Sequence, residues 1–169
     1  MELDFTEEQK LLKNTVERTC IKYSDLKSLR EIEDSEKGYS EDFWNQLINL
    51  GLTGIGISSK YGGSNMGLLD HVIVYEEFGK SLSLSPHFIS SVICASLIQK
   101  LGSKDQKSEI LNDIASGKSI LTLAWLEEGS GFDKNGINTA LLEKNNSLLL
   151  NGIKHMVPYA SSAQKMIVL

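Results

Sequence analysis

Apolar residues recur every three to four positions through the first two thirds of the chain, then give way to short unbroken runs. Thr6-Glu7-Glu8-Gln9 spells a capping box, in which the Thr hydroxyl accepts from the third helical N–H and Gln9 reaches back to the cap. Leu12, Val16 and Cys20 follow at helical spacing, with Leu11 widening the stripe, so a first helix is predicted to about Tyr23. Ser24 to Gly38 is charged and weakly periodic, which reads as a loop or a poorly anchored helical piece. Ser40 caps a second helix with Phe43, Trp44, Leu47 and Ile48 on its apolar face, ended by Gly51. A glycine-dense loop leads to a third helix, from about Leu68 to Lys80. Pro86 suits the first turn of a fourth, about His87 to Leu101, which is apolar nearly all round and is expected to be central and buried. Ser103-Lys104-Asp105-Gln106 is a second capping box. It opens a fifth helix carrying Ile110, Leu111 and Ile114, which stops at Gly117.

After Gly117 the period changes. Ile120 to Leu126 is a short apolar run bounded by turn residues, the signature of a strand buried on both faces. Asn138 to Glu143 and Leu148 to Leu150 read as a hairpin around Asn145-Asn146, Asn151-Gly152 as a turn, and Lys165 to Leu169 as a further strand. The predicted class is α+β. An all-α domain of about five helices spans 1–118, and 119–169 begins an antiparallel β domain. Three or four short strands with unpaired edges make a poor stand-alone unit, so the β part is expected to be incomplete.

Composition narrows the function classes. The chain has 169 residues, 41% of them apolar and two of them proline, which argues for a folded domain over disorder. Its formal charge is −5, with no basic stripe of the kind nucleic-acid binding needs. No apolar stretch is long enough to cross a bilayer. The acidic, polar start resembles neither a signal nor a transit peptide, so a cytoplasmic location is expected. Cys20 and Cys94 lie in apolar helical patterns without metal or redox spacing and read as buried reduced thiols.

Most candidate chemistry fails its context. Adjacent Glu76 and Glu77 point in different directions on a helix, so they are not a cooperating acid–base pair; one is expected to face solvent and the other a helix end. His71, His87 and His155 lack ligand spacing and read as solvated or lightly packed; no metal site is predicted. Gly51 to Gly56 holds three glycines, but not in dinucleotide order, and a helix precedes them, so a tight turn fits better than a phosphate cradle. Ser162-Ala163-Gln164-Lys165 has the spacing of a nucleophilic serine–lysine motif but enters a strand rather than a helix. Leu126 to Asp133 is more informative. It leaves a buried strand through a glycine-containing turn that can offer backbone groups to a flat cofactor or a thioester. An ordinary acidic hairpin loop would be spelled the same way.

Several segments together resemble the acyl-CoA dehydrogenase family, in order over almost the whole chain. They are Asp4-Phe5-Thr6-Glu7-Glu8-Gln9, Trp44 with Leu50-Gly51-Leu52-Thr53-Gly54-Ile55, Tyr61-Gly62-Gly63, Tyr75-Glu76-Glu77-Phe78-Gly79, Gly102 to Lys107 with Ile114-Ala115-Ser116-Gly117, and Asn151-Gly152-Ile153-Lys154. The resemblance implies an N-terminal helical domain, a middle β domain and a C-terminal four-helix bundle that supplies oligomer contacts, the last having no counterpart here. It also implies FAD, an acyl-CoA substrate, an electron-transfer acceptor protein and a place in fatty acid metabolism. In that chemistry a glutamate takes the α-proton while the β-hydrogen leaves as hydride to the flavin, giving a trans-2-enoyl-CoA. The base comes from the bundle, so no catalytic residue is assigned in this chain.

The resemblance places cofactor contacts at Trp125, Leu126, Met156, Val157 and Pro158, and substrate contacts at Gly131 and Phe132. Glu127, Gly131 and Asp133 match the family pattern. Leu126 replaces a threonine whose hydroxyl serves the flavin, and Phe132 replaces a serine near the CoA. Met156 and Pro158 stand where the family has a tryptophan and a threonine against the ring. Three side-chain donors are thereby absent, each typically contributing on the order of 1 kcal/mol. These departures are similar to the small-subunit branch of two-chain dehydrogenases, such as the pimeloyl-CoA dehydrogenase small subunit. They leave two readings open: a flavin-dependent dehydrogenase, or a non-catalytic partner subunit of a hetero-oligomeric one.

Overall fold

The computed structural model describes residues 4–131, 133–145 and 147–169. Helix α1 (Glu7–Tyr23) opens on the predicted capping box, with Thr6 Oγ1 accepting from Gln9 N at 3.2 Å and Gln9 Oε1 accepting from Thr6 N at 3.1 Å. The charged stretch after it is a helix, α2 (Leu26–Glu33). Asp25 caps it, accepting from the N–H groups of Lys27 and Ser28, and it buries Ile32. Ser40 caps α3 (Glu41–Asn49) through Phe43 N. Then come α4 (Leu68–Lys80), a π-helical segment Phe88–Cys94 that runs into α5 (Ala95–Leu101), and α6 (Lys104–Ala115) behind the Ser103 capping box. Among the described residues, no helix is long and apolar enough to cross a membrane.

Two apolar clusters hold these elements. The first joins Val16 and Cys20 of α1 to Phe43, Trp44 and Leu47 of α3 and to Phe78 of α4. The second joins Cys94 and Ala95 to Leu111 and Ile114 of α6 and to Leu121 and Leu123 of the first strand. The loop between α3 and α4 is tight. Gly51 sits at φ +70, and a Cβ on Gly63 would fall 2.1 Å from the Ile57 carbonyl oxygen.

The fourth helical segment departs from its expected full burial. Its inward face is made of small residues (Ser90, Ser91, Cys94 and Ala95), while Phe88 stays 54% and Leu101 81% exposed. Small side chains let the next strand approach closely, and Ser90 Oγ accepts from Leu121 N at 3.0 Å.

Strand β1 (Leu121–Ala124) is buried at all four residues, as its unbroken apolar run predicts. β2 (Ala140–Lys144) and β3 (Ser147–Asn151) form the predicted antiparallel hairpin, and every residue of both strands is exposed. Asn151 closes β3 and the chain runs on past Gly152 without a turn. β4 (Lys165–Val168) pairs with β1 in parallel, Leu121 opposite Lys165 and Ala124 opposite Val168. Parallel neighbours need a long crossover, which the hairpin and the following loop supply. The architecture is therefore α+β, helices first and strands with an antiparallel pair after them.

Candidate functional site

The end of β1 and the loop after β3 are joined by hydrogen bonds. Thr122 Oγ1 donates to the Pro158 carbonyl at 2.5 Å, His155 N donates to the Leu126 carbonyl at 2.8 Å, and Lys154 Nζ donates to the Trp125 carbonyl at 3.2 Å. Residues 122–127 and 154–158 thus run side by side.

Glu127 is the hub of this junction. Its Oε1 accepts from Lys154 Nζ at 2.7 Å, from Thr139 N at 2.8 Å and from Thr139 Oγ1 at 2.7 Å, and its Oε2 accepts from Asn138 N at 2.9 Å. Both side chains of the Glu127–Lys154 pair are 8% exposed. The Lys154 ammonium, helped by the Thr139 hydroxyl, holds the Glu127 carboxyl well below the usual carboxylate range. The chain then reverses through Gly129 at φ +72, with Ser130 N donating to the Glu127 carbonyl at 3.1 Å.

Of the residues singled out in the sequence, the structure brings Trp125 and Leu126 beside the 155–158 segment. Trp125 is half-buried against the second apolar cluster, and Leu126 is half-buried. Met156 is 86% exposed with φ +51, Val157 is half-buried and Pro158 is exposed. Met156 and Tyr159 both occupy the left-handed region and so kink the loop on either side of Val157 and Pro158. Val157 and Pro158 also line a groove against residues 35–38. Gly131 is exposed, with open space where a Cβ would stand. Phe132 lies outside the described residues.

The donor chemistry fits the flavin that the resemblance implies. Among the described residues, the N–H groups of Leu126 and Val157 donate to no protein acceptor, whereas the Leu126 carbonyl is already taken. An isoalloxazine presents carbonyl oxygens and ring nitrogens, acceptors that such N–H groups can serve.

Two polar clusters escape sequence reasoning. His87 is fully buried rather than lightly packed. Its Nε2 lies 2.9 Å from the Leu52 carbonyl and its Nδ1 2.6 Å from the Tyr75 hydroxyl. Glu77 is buried, in the last turn of α4. Lys80 Nζ lies 2.9 Å from Glu76 Oε1 and 2.8 Å from Glu77 Oε1, and Lys13 Nζ of α1 lies 3.4 and 3.8 Å from the same two atoms. Adjacent glutamates thus share the same two cations and tie α1 to α4. Among the described residues no His, Cys, Asp and Glu side chains are grouped so as to hold a metal ion.

A sequence profile described as acyl-CoA dehydrogenase, N-terminal domain, matches residues 6–118. The chain is 32% identical over 168 residues to mitochondrial isovaleryl-CoA dehydrogenase of Pongo abelii, covering 96% of this chain and 39% of that protein. It is 30% identical over 171 residues to acryloyl-CoA reductase (NADH) of Anaerotignum propionicum, covering 99% and 43%. A solved structure titled FAD-dependent dehydrogenase superposes with a TM-score of 0.81 at 26% identity, over 99% of this chain and 43% of that one. The chain spans about two fifths of the length of these curated relatives.

Proposed function

The chain belongs to the acyl-CoA dehydrogenase family, and from that premise we propose that it takes part in FAD-dependent α,β-dehydrogenation of an acyl-CoA thioester. The observation that carries this reading is the junction of 122–127 with 154–158, which leaves the Leu126 and Val157 N–H groups unengaged beside the exposed Met156. In this reading Trp125, Leu126, Met156, Val157 and Pro158 face the flavin, and Gly131 and Phe132 lie toward the thioester. FAD, when bound, supplies the hydride acceptor, and the protein's part is position and electrostatics. The Leu126 and Val157 N–H groups hold the ring's acceptor edge, and Met156 lies along it as a polarisable apolar surface. A homo- or hetero-oligomer, an electron-transfer acceptor protein and a cytoplasmic setting complete the proposal.

A second reading is a non-catalytic partner subunit of a two-chain dehydrogenase. Pro158 favours it, since that position offers no N–H and its carbonyl is already taken by Thr122.

The test is to add FAD to the purified full-length protein, remove free flavin, and record the visible spectrum before and after adding an acyl-CoA without oxygen. Retained flavin that bleaches with acyl-CoA supports the first reading. Retained flavin that does not bleach supports the second, and a colourless protein overturns the first.

A further inference from the structure

The Glu127–Lys154 pair spans three separate stretches of chain. Glu127 lies just past β1, Lys154 follows β3, and Asn138 and Thr139 precede β2. Five polar contacts within 3.2 Å converge on these two side chains, four on Glu127 and one more from Lys154 to the Trp125 carbonyl. The ammonium is nearly buried and spent on a carboxylate, so it is not a spare cation awaiting a phosphate. The carboxylate is likewise filled with donors and is not poised to take a proton from a substrate. What remains is geometry: the pair sets the distance between 125–126 and 155–158.

We propose that Glu127 and Lys154 are positioning residues for the flavin site, a buried latch formed by the polypeptide itself that fixes the register of the two segments whose N–H groups the ring's edge would meet. The proposal rests on the functional reading above. Its physical basis is preorganisation. A desolvated pair held by five converging hydrogen bonds resists rearrangement, so the Leu126 and Val157 N–H groups need not be brought together when the cofactor arrives. A loop held only by the Thr122–Pro158 and His155–Leu126 contacts could shift along the strand end.

The experiment titrates FAD into the deflavinated full-length protein and reads both affinity and the shape of the bound-flavin absorbance. Lys154→Met should weaken FAD binding about tenfold, as expected for losing a charged hydrogen-bond partner, and should alter the bound spectrum. Thr139→Val removes one hydroxyl from Glu127 and should weaken binding about threefold with the fold intact, so the latch is still tested if Lys154→Met does not fold. Glu77→Gln, on the α1–α4 face, serves as a control for lost stability and should leave FAD affinity unchanged. Affinity and spectrum that do not move in a folded Lys154→Met, or in Thr139→Val, overturn the latch while wild-type binding keeps the functional reading. An equal loss in Glu77→Gln also overturns it. A wild-type protein that binds no FAD overturns the reading and the latch together.

Discussion

The Tyr75 hydroxyl donates to Nδ1 of His87 across 2.6 Å, into a ring with no exposed surface. The other ring nitrogen faces the Leu52 carbonyl, which can only accept, so Nε2 carries the proton and Nδ1 is the acceptor. Burial keeps the imidazole neutral, pushing its pKa from 6.5 down to about 4, so Nδ1 carries no proton of its own. Tyr75 in turn packs edge-on against Phe78 and Phe88, tying α4 to the π-helical segment.

That arrangement makes stability depend on pH with a defined sign. Because the unfolded imidazole binds its proton more readily than the folded one, His87 stabilises the fold fully above pH 6.5, and this contribution is lost as pH falls through 4. Between pH 7 and pH 4 the loss from this residue is about 3 kcal/mol. In His87→Gln the amide can still donate to Leu52 and accept from Tyr75. Urea unfolding across this range should then fall less steeply than in the wild type by about that amount. Parallel curves would refute the assignment.

Glu76 and Glu77 contact the same lysines but differ in burial, and this sets unequal costs for removing their charge. Glu76 is exposed, and Glu76→Gln should leave the denaturant midpoint nearly unchanged, because solvent screens an exposed pair. Glu77 is buried, and Glu77→Gln should cost about 2 kcal/mol, because Lys13 and Lys80 lose the carboxylate that is shielded from water. Denaturant midpoints of the two variants give the comparison directly. Equal costs would mean that the shared cations are fully screened.

What the sequence made legible follows the range of the interactions. The capping boxes at Thr6 and Ser103 and the hairpin around Asn145 close within a few residues, so local spelling predicts them. Leu121 to Ala124 showed its burial through an unbroken apolar run. The parallel partnership of β1 and β4 did not show, because nothing near either strand encodes a pairing across the intervening hairpin. Asn151-Gly152 has turn chemistry, but no second strand follows closely enough to close a hairpin there. Helical periodicity also cannot say which polar residue is turned inward, so the burial of His87 and Glu77 was not legible. At the candidate site, the family resemblance picked out both the strand end at Trp125 and Leu126 and the loop at Met156 to Pro158. Glu127 and Lys154 each stand in segments that carry the family resemblance, but their pairing is a tertiary contact that no local pattern spells.

Two glycines should respond in opposite directions to alanine. At Gly63 the new methyl would sit 2.1 Å from a backbone oxygen that cannot swing away, so Gly63→Ala should destabilise by more than about 3 kcal/mol. Gly79 lies inside α4 with open space at its Cβ, so Gly79→Ala should stabilise by about 0.5–1 kcal/mol through helix propensity. Thermal midpoints of the pair report both signs, and a tolerated Gly63→Ala would show that the loop between α3 and α4 can relax.

Both thiols should be silent in the native protein. Burial pushes Cys94 up to about 12 and raises Cys20 as well, so almost no thiolate is present near neutral pH. A chromogenic disulfide reagent should label neither cysteine in buffer and both in denaturant. Rapid labelling of Cys94 without denaturant would mean that the contact between the π-helical segment and α6 opens readily.

Pro158 is the departure from the family pattern whose reversal the structure best accommodates. Its side chain is exposed, and its carbonyl is pinned by Thr122, so the backbone keeps its place when the ring is replaced. Pro158→Thr restores an N–H and adds a hydroxyl beside the unengaged Val157 N–H. The full-length variant should therefore retain about threefold more FAD than the wild type through gel filtration, a gain of the size one added hydrogen bond gives. If occupancy does not change, the 155–158 segment does not face the flavin's hydrogen-bonding edge, and the partner-subunit reading becomes the stronger of the two.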